Sequence, residues 1–477
     1  MKNLTITGFF WRFFERCSAQ MVIFVVSLIL ARLLEPEVYG TIALVTVITN
    51  LLQVFIDSGL GNALIQKKDA DDIDFSTVFY FNIVVCGVLY AGMFFFAPAI
   101  ANFYNNSELV PIIRVLSLTL VISGVRNIQQ AFVSRNMLFK KFFLSNIGGS
   151  IGAAIAGITM AYMGFGVWAL VGQQLFNVLT GTVVLWFVVR WRPKLVFSFH
   201  RLKGLLSYGW KLLASAFIDT VYNDIRQLII GKFYSSADLA FYNRGKQMPQ
   251  LINGIINASV DSVLLPTMSK QQDDTERVKA MTRRAIRTSS YIVAPFLFGL
   301  AACGETLVSF ILTDKWLDSV LFIRIFCVTY AFYPVHTANL NAIKAMGRTD
   351  MFLKLEIAKK VLGLLIMFST IFISVEAMAY SLLGSVVITT MINAYPNKKL
   401  LKYSWAEQMK DILPNLGLSL FMAVVVYSLQ FLSLPTATIL AIQIITGACI
   451  YIGLSAFFKM ETFKYVVSSA KSLLAKK

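Results

Sequence analysis

Charge is what this chain has least of: 14% of its 477 residues are Asp, Glu, Lys or Arg, against 57% hydrophobic ones. With a mean hydropathy of +0.69, that scarcity excludes a soluble globular domain and leaves a polytopic membrane protein. Acids are the rarer charges, 25 against 43 basic residues, for a formal net charge of +18. The basic residues are spread through short connections and form no groove or tail, so no nucleic acid is expected. Five cysteines, Cys17, Cys86, Cys303, Cys327 and Cys449, stand far apart in apolar surroundings without metal-ligand spacing, and read as small core residues. Of the two histidines, His200 falls in a polar connection. His336, beside Pro334 inside an apolar segment, reads as a hydrogen-bonded position in a kinked helix, with titration during transport as its other role. There is no Gly-rich phosphate loop ending in Lys-Ser/Thr, which excludes direct ATP hydrolysis. The outward loops are too short to carry a polar catalytic centre, so no enzyme, cofactor or metal is expected.

Apolar segments of about 20 residues or more are plentiful. They run near 9–33, 39–62, 75–100, 109–133, 143–162 and 167–189, then near 205–233, 240–268, 285–312, 320–346, 355–374 and 377–395, with two more at 412–432 and 437–458. Their length excludes the strands of an outer-membrane barrel, and the fold class is all-α with about fourteen crossings. The first segment has no cleavage site behind it and is expected to remain as a helix. Basic residues fill every second connection, from Lys67 and Lys68 through Arg135, Lys140 and Lys141 to Arg190–Lys203 and Lys270–Arg287. The positive-inside rule makes these loops and both termini cytoplasmic. The basic, proline-bearing segment 190–203 divides the chain into a six-helix lobe over 1–195, a second over 196–400, and two additional helices with a basic tail over 401–477. A shift of 200 positions sets Gln53 against Asn253 and Asp57 against Asn257, as a parallel repeat would.

Within the apolar segments the polar residues fall into stripes. Arg12, Arg16 and Gln20 recur at helical spacing on the first, and Thr46, Asn50, Gln53 and Asp57 on the second. Lys211, Ser215, Asp219, Tyr222 and Arg226 mark the seventh, and Asn243, Gln247, Gln250, Asn257 and Asp261 the eighth. A charge at the bilayer centre costs roughly 2.5 to 3.5 kcal/mol even on the mild insertion scale. The basic members, Arg12, Arg16, Lys211, Arg226 and Arg244, are therefore expected to line a hydrated path and bind an anionic substrate, arginine pairing bidentately with phosphate. Asp57, Asp219 and Asp261 are the expected gate or coupling residues. An Asp219–Arg226 latch, snorkelling of Arg12 and Arg16, and interhelical hydrogen bonding by the amides are the structural alternatives.

The run Asp57-Ser58-Gly59-Leu60-Gly61-Asn62-Ala63-Leu64-Ile65-Gln66-Lys67-Lys68 resembles the signature of polysaccharide transporters in the multidrug, oligosaccharidyl-lipid and polysaccharide exporter superfamily. The stretches Leu265–Glu276 and Asp314-Lys315-Trp316 agree with it, nearest to the branch of colanic and teichuronic acid exporters. The resemblance implies a V-shaped pair of six-helix lobes with two peripheral helices. It also implies a Wzx-type flippase moving an undecaprenyl-pyrophosphate-linked oligosaccharide across the bacterial inner membrane by alternating access. Its partners would be that lipid-linked oligosaccharide pyrophosphate, membrane lipids, H+ or Na+ as coupling ion, and a polysaccharide polymerase. The competing expectation is a cation-coupled multidrug exporter of the same superfamily, which acids such as Asp57, Asp219 and Asp261 would serve.

Overall fold

A computed structural model describes residues 22–57 and 59–474. All regular elements among them are helices. The chain divides into two compact units, Met1–Ala240 and Phe241–Lys477. The first holds α1 (Val22–Leu33), α2 (Pro36–Asp57), α3 (Leu60–Gln66), α4 (Asp72–Tyr104), α5 (Leu109–Leu116), α6 (Leu118–Arg135), α7 (Phe139–Tyr162), α8 (Val167–Val188) and α9 (Phe199–Phe233), with the first turn of α10 (Ser236–Ser269). The second holds the rest of α10, α11 (Thr275–Ala302), α12 (Gly304–Ile311), α13 (Ser319–Ala331), α14 (Tyr333–Ala345), α15 (Thr349–Phe368), α16 (Val375–Leu400), α17 (Trp405–Ser428), α18 (Thr436–Phe457) and α19 (Glu461–Leu474).

Among the described residues ten spans, several of them broken helix pairs, are long and apolar enough to cross a bilayer. Four other segments read as crossings from the sequence do not reach that mark: α1, described over 12 residues, and α9, α10 and α15. The last three carry Lys211 to Arg226, Arg244 to Asp261 and Lys354 to Lys360, and these charges hold their hydropathy down. Only 17% of the most apolar part of α4 is buried, against 61% for α13–α14. A helix so apolar and so uncovered meets lipid, whereas α13–α14 is the centre of its unit.

Helix ends follow from capping. Asp71 accepts from the amides of Ile73 and Asp74, while Asp74 reaches back to the Asp71 amide, closing a capping box at the start of α4. Ser404 and Glu407 do the same for α17. Asn105 ends α4 at φ 54°, the left-handed conformation that asparagine tolerates. The α7–α8 pair is drawn together by small residues: a Cβ on Gly149 would stand 2.8 Å from the Asn177 carbonyl oxygen, and one on Gly152 2.3 Å from Thr180 Oγ1. Ser145 Oγ donates to the Gly181 carbonyl across this contact at 2.8 Å.

The two units share a plan. The spans Leu109–Arg135 and Ser319–Ala345 are both 27 residues long and both broken, and Arg114 and Arg324 each stand sixth. Arg114 Nε donates to the Phe94 carbonyl at 3.3 Å, and Arg324 Nε to the Ala301 carbonyl at 3.4 Å, so each clips its span to the apolar span before it. Asn127 and Thr337 each stand nineteenth, and they donate to Asp57 and Asn257, the pair that the 200-residue shift sets together. The helices after residue 400 are not loosely attached. On α17, Asp411 takes hydrogen bonds from Arg283 and Arg287 of α11, and Gln408 joins a fully buried amide network with Asn339 and Asn397.

Candidate translocation site

On α9 the residues Lys203, Ser207, Lys211, Ser215 and Asp219 recur every fourth position, and all five are exposed. What fixes that face outward is the opposite one. Phe217 packs edge-on against Phe55 at 5.4 Å. Gly209 lies so close to Gly59 that a Cβ there would come within 3.0 Å of the Gly59 carbonyl carbon. Glycine at 209 is favoured because a side chain there would crowd the Gly59 backbone. A lysine and an aspartate left uncovered at membrane depth belong in water, not in acyl chains.

Asp57, at the end of α2, is also exposed and anchors a polar cluster. Gln53 Nε2 donates to both its oxygens at 3.1 Å, and Asn127 Nδ2 to Oδ1 at 3.0 Å. Arg126, beside Asn127 on α6, supplies the neighbouring positive charge. Its Nη2 donates to Asn146 Oδ1 of α7 at 2.7 Å, and the missing side chain of Gly181 makes room for the guanidinium. Arg126 did not stand out in the sequence, although an arginine inside an apolar span beside Asn127 and Gln129 was signal enough.

The remaining site residues are placed as follows. Arg226 is half-buried two turns beyond Asp219 on α9. Arg244, in the second unit, is 7% exposed; its guanidinium lies 5.0 Å from the centre of the buried Trp316 ring and donates to Gln247 at 3.0 Å. That stacking joins α10 to the Asp314-Lys315-Trp316 turn. Asp261, farther along α10, is exposed and accepts from Asn341 at 2.7 Å. The structure thus places Asp57, Lys211, Asp219 and Arg226 along two packed helices of the first unit, and sets Arg244 and Asp261 in the second. Arg12 and Arg16 lie outside the described residues. Of the cysteines, Cys86, Cys303 and Cys327 are buried as expected, whereas Cys449 is exposed on α18, where the helix turns an apolar face outward.

At the first unit's basic end, Gln66, Lys67, His200, Arg201 and Gly204 line a cavity of ≈480 Å3. Lys67 pairs with Asp74 at 2.7 Å, Arg201 with Asp71 at 2.5 Å, and Lys194 with Asp72 at 2.7 Å. The Arg201 hydrogen bond, helped by the Asp74 amide, holds the Asp71 carboxyl down at about 2. These pairs tie the connection before α9 to the start of α4.

An all-helical fold with ten apolar spans among the described residues defines a class, the polytopic membrane proteins. Among solved structures, "Lipid II flippase MurJ, inward closed conformation" superimposes with a TM-score of 0.72 at 15% identity, covering 96% of this chain and 99% of that one. The fold is also shared with "Inward-facing conformation of a multidrug resistance MATE family transporter of the MOP superfamily", at a TM-score of 0.62 and 16% identity, covering 81% of this chain and 96% of that one. Residues 29–321 match the family described as "Polysaccharide biosynthesis protein", and the chain belongs to that family. The succinoglycan biosynthesis transport protein ExoT of Rhizobium meliloti is 25% identical over 307 residues, 64% of this chain and 62% of that protein. The teichuronic acid biosynthesis protein TuaB of Bacillus subtilis is 25% identical over 415 residues, 85% of each. The chain therefore spans under two thirds of the length of ExoT and most of TuaB.

Proposed function

We propose that this protein is a flippase, carrying an undecaprenyl-pyrophosphate-linked oligosaccharide repeat unit across the bacterial inner membrane by alternating access, for surface polysaccharide biosynthesis. Membership of the family and the names of its relatives support the pathway. The observation that supports the mechanism is the exposed Lys211–Ser215–Asp219 stripe of α9, a charged surface on a helix of membrane-spanning length. Arg12, Arg16 and Lys211 would draw in the diphosphate from the cytoplasmic side, with Arg226 the next anionic contact along α9. Arg244, stacked on Trp316, is given the lesser part: it would have to leave that ring and Gln247 to reach cargo. The glycan travels in water while the prenyl chain stays in lipid, and the diphosphate must be held loosely enough to leave. Asp57, Asp219 and Asp261 gate or couple the cycle to H+ or Na+, both termini face the cytoplasm, and a polysaccharide polymerase takes the delivered unit. The two lobes that alternate would be the repeats over 1–195 and 196–400.

Exposed acids at Asp219 and Asp261 favour one other reading, a cation-coupled multidrug exporter. The discriminating experiment reconstitutes the full chain in proteoliposomes and compares flipping of fluorescent polyprenyl-pyrophosphate glycan with uptake of a cationic dye. Glycan flipping that falls on removal of the Lys211 and Arg226 charges supports the flippase; dye transport alone overturns it.

A further inference from the structure

The sequence of α15 is unusual for a membrane helix: Lys354, Glu356, Lys359 and Lys360 lie within seven residues. One face is purely apolar, with Leu353, Ile357, Val361 and Leu365 all more than half exposed at four-residue spacing. The charges of Glu356 and Lys359 are turned the other way. They pair at 2.5 Å with side chains only 28% and 14% exposed, seven and ten residues into the helix, about 10 to 15 Å along it. Ionisable residues held at such depth are functional by default.

Beside them stands His336, on which Lys359 acts as the neighbouring charge. Its ring is held from α16 on both nitrogens: Thr390 Oγ1 lies 3.1 Å from Nε2, and Asn393 Nδ2 lies 2.6 Å from Nδ1. Thr390 gives its own proton to the Val386 carbonyl at 2.6 Å, so its oxygen must accept from the ring. His336 is then neutral, protonated on Nε2, with Nδ1 accepting from the Asn393 amide. The carbonyl oxygen of that amide, on a residue 0% exposed, meets no hydrogen-bond donor among the described residues. A buried acceptor is seldom left so. Turning the Asn393 amide over would place this oxygen against Nδ1, where a ring carrying a hydrogen on that nitrogen would satisfy it. Tyr333 of the same helix packs on the ring at 5.6 Å, and Tyr330 of α13 lies behind Tyr333.

The first unit shows what this position does when it cannot titrate. Arg126 and His336 each stand eighteenth in their 27-residue spans, and Asn146 and Glu356 each stand eighth in α7 and α15. In the first unit the fixed charge of Arg126 simply binds Asn146. In the second, a titratable base stands at the matching position and an acid–lysine pair replaces the amide.

We propose that the second unit carries a proton-binding site at His336: Nδ1 takes the proton and the Asn393 amide turns to receive the new N–H. The step is a proton transfer alone. A hydronium ion gives its proton to the Nδ1 lone pair and leaves as water, and release is the reverse. Its use as a coupling step rests on the transport reading above; the site itself does not.

The chain has two histidines, so 15N-histidine labelling of the full-length protein in lipid nanodiscs, with His200→Gln for assignment, isolates the ring of His336. Between pH about 8 and about 5, its pattern is expected to change from neutral, Nε2-protonated to doubly protonated. Asn393→Asp, a near-isosteric acceptor, holds it doubly protonated throughout. A ring that stays neutral across that range, or an Asn393→Asp protein that behaves as the native one, overturns the site. In proteoliposomes an imposed pH gradient accelerates flipping of labelled polyprenyl-pyrophosphate glycan, and His336→Gln loses that response while still flipping. Native flipping indifferent to the gradient overturns the coupling role. A native protein that titrates as expected but flips nothing supports the proton site and counts against the flippase.

Discussion

Lys211 and Asp411 show how differently a single charge can serve this protein. Lys211 is exposed and supports no packing, so Lys211→Ala should leave thermal unfolding unchanged. It should slow glycan flipping by roughly tenfold, the worth of one charge-assisted contact of about 1.5 kcal/mol. Asp411 has a side chain 1% exposed, bound by Arg283, Arg287 and Tyr403 at 2.5 to 2.9 Å. Asp411→Asn leaves two guanidinium groups short of a partner and should cost about 3 kcal/mol, read as a lowered unfolding temperature in detergent. Glu461→Gln, whose carboxylate pairs with Arg287 from an 88% exposed side chain, should shift it by no more than about 0.5 kcal/mol. Asp71 gives the pH dependence. Its carboxyl is held at about 2 against an ordinary 3.8, so the Arg201 tether contributes fully above the ordinary value and is lost as pH falls toward about 2. Proteolysis at Arg201 should be flat from pH about 7 to about 5 and rise only below pH about 3.

Elements were legible where a bilayer dictates their length and illegible where a partner does. The apolar segments and the stripe on α9 could be read because hydropathy and helical spacing are local properties. The connection from Arg283 to Asp411 crosses 128 residues, and nothing local announces it. Arg126 carried a local signal, a charge inside an apolar span beside Asn127 and Gln129, but its role comes from Asp57 on α2 and Asn146 on α7. Arg244, expected to face cargo, is instead 7% exposed, because the Trp316 ring that covers it lies 72 positions away in the chain. Glycine contacts separate two kinds of close approach. A Cβ on Gly40 would fall 1.7 Å from the Ser236 carbonyl oxygen, a backbone atom. One on Gly172 meets the end of Met160, a side chain that can swing away. Gly40→Ala should therefore destabilise by about 1 to 3 kcal/mol, and Gly172→Ala hardly at all, as thermal unfolding of the two variants in detergent would show.

For the whole molecule, the 200-residue register in the sequence has a counterpart in the structure: Asp57 and Asn257 each accept a hydrogen bond from the nineteenth residue of a broken 27-residue span. The sequence set the two helices after residue 400 apart from the lobes, yet α17 supplies the second unit with a buried carboxylate and part of its amide network. A chain ending at residue 400 should fail to accumulate in the membrane rather than yield a smaller working transporter, as quantitative blotting of membrane fractions would show.

The matched helices differ in packing. Where α7 meets α8 through glycines, α15 leaves a bare aliphatic edge uncovered. Deuterium should therefore enter the backbone amides of α15 well before those of α7, and the second half of the molecule would breathe on a faster clock than the first.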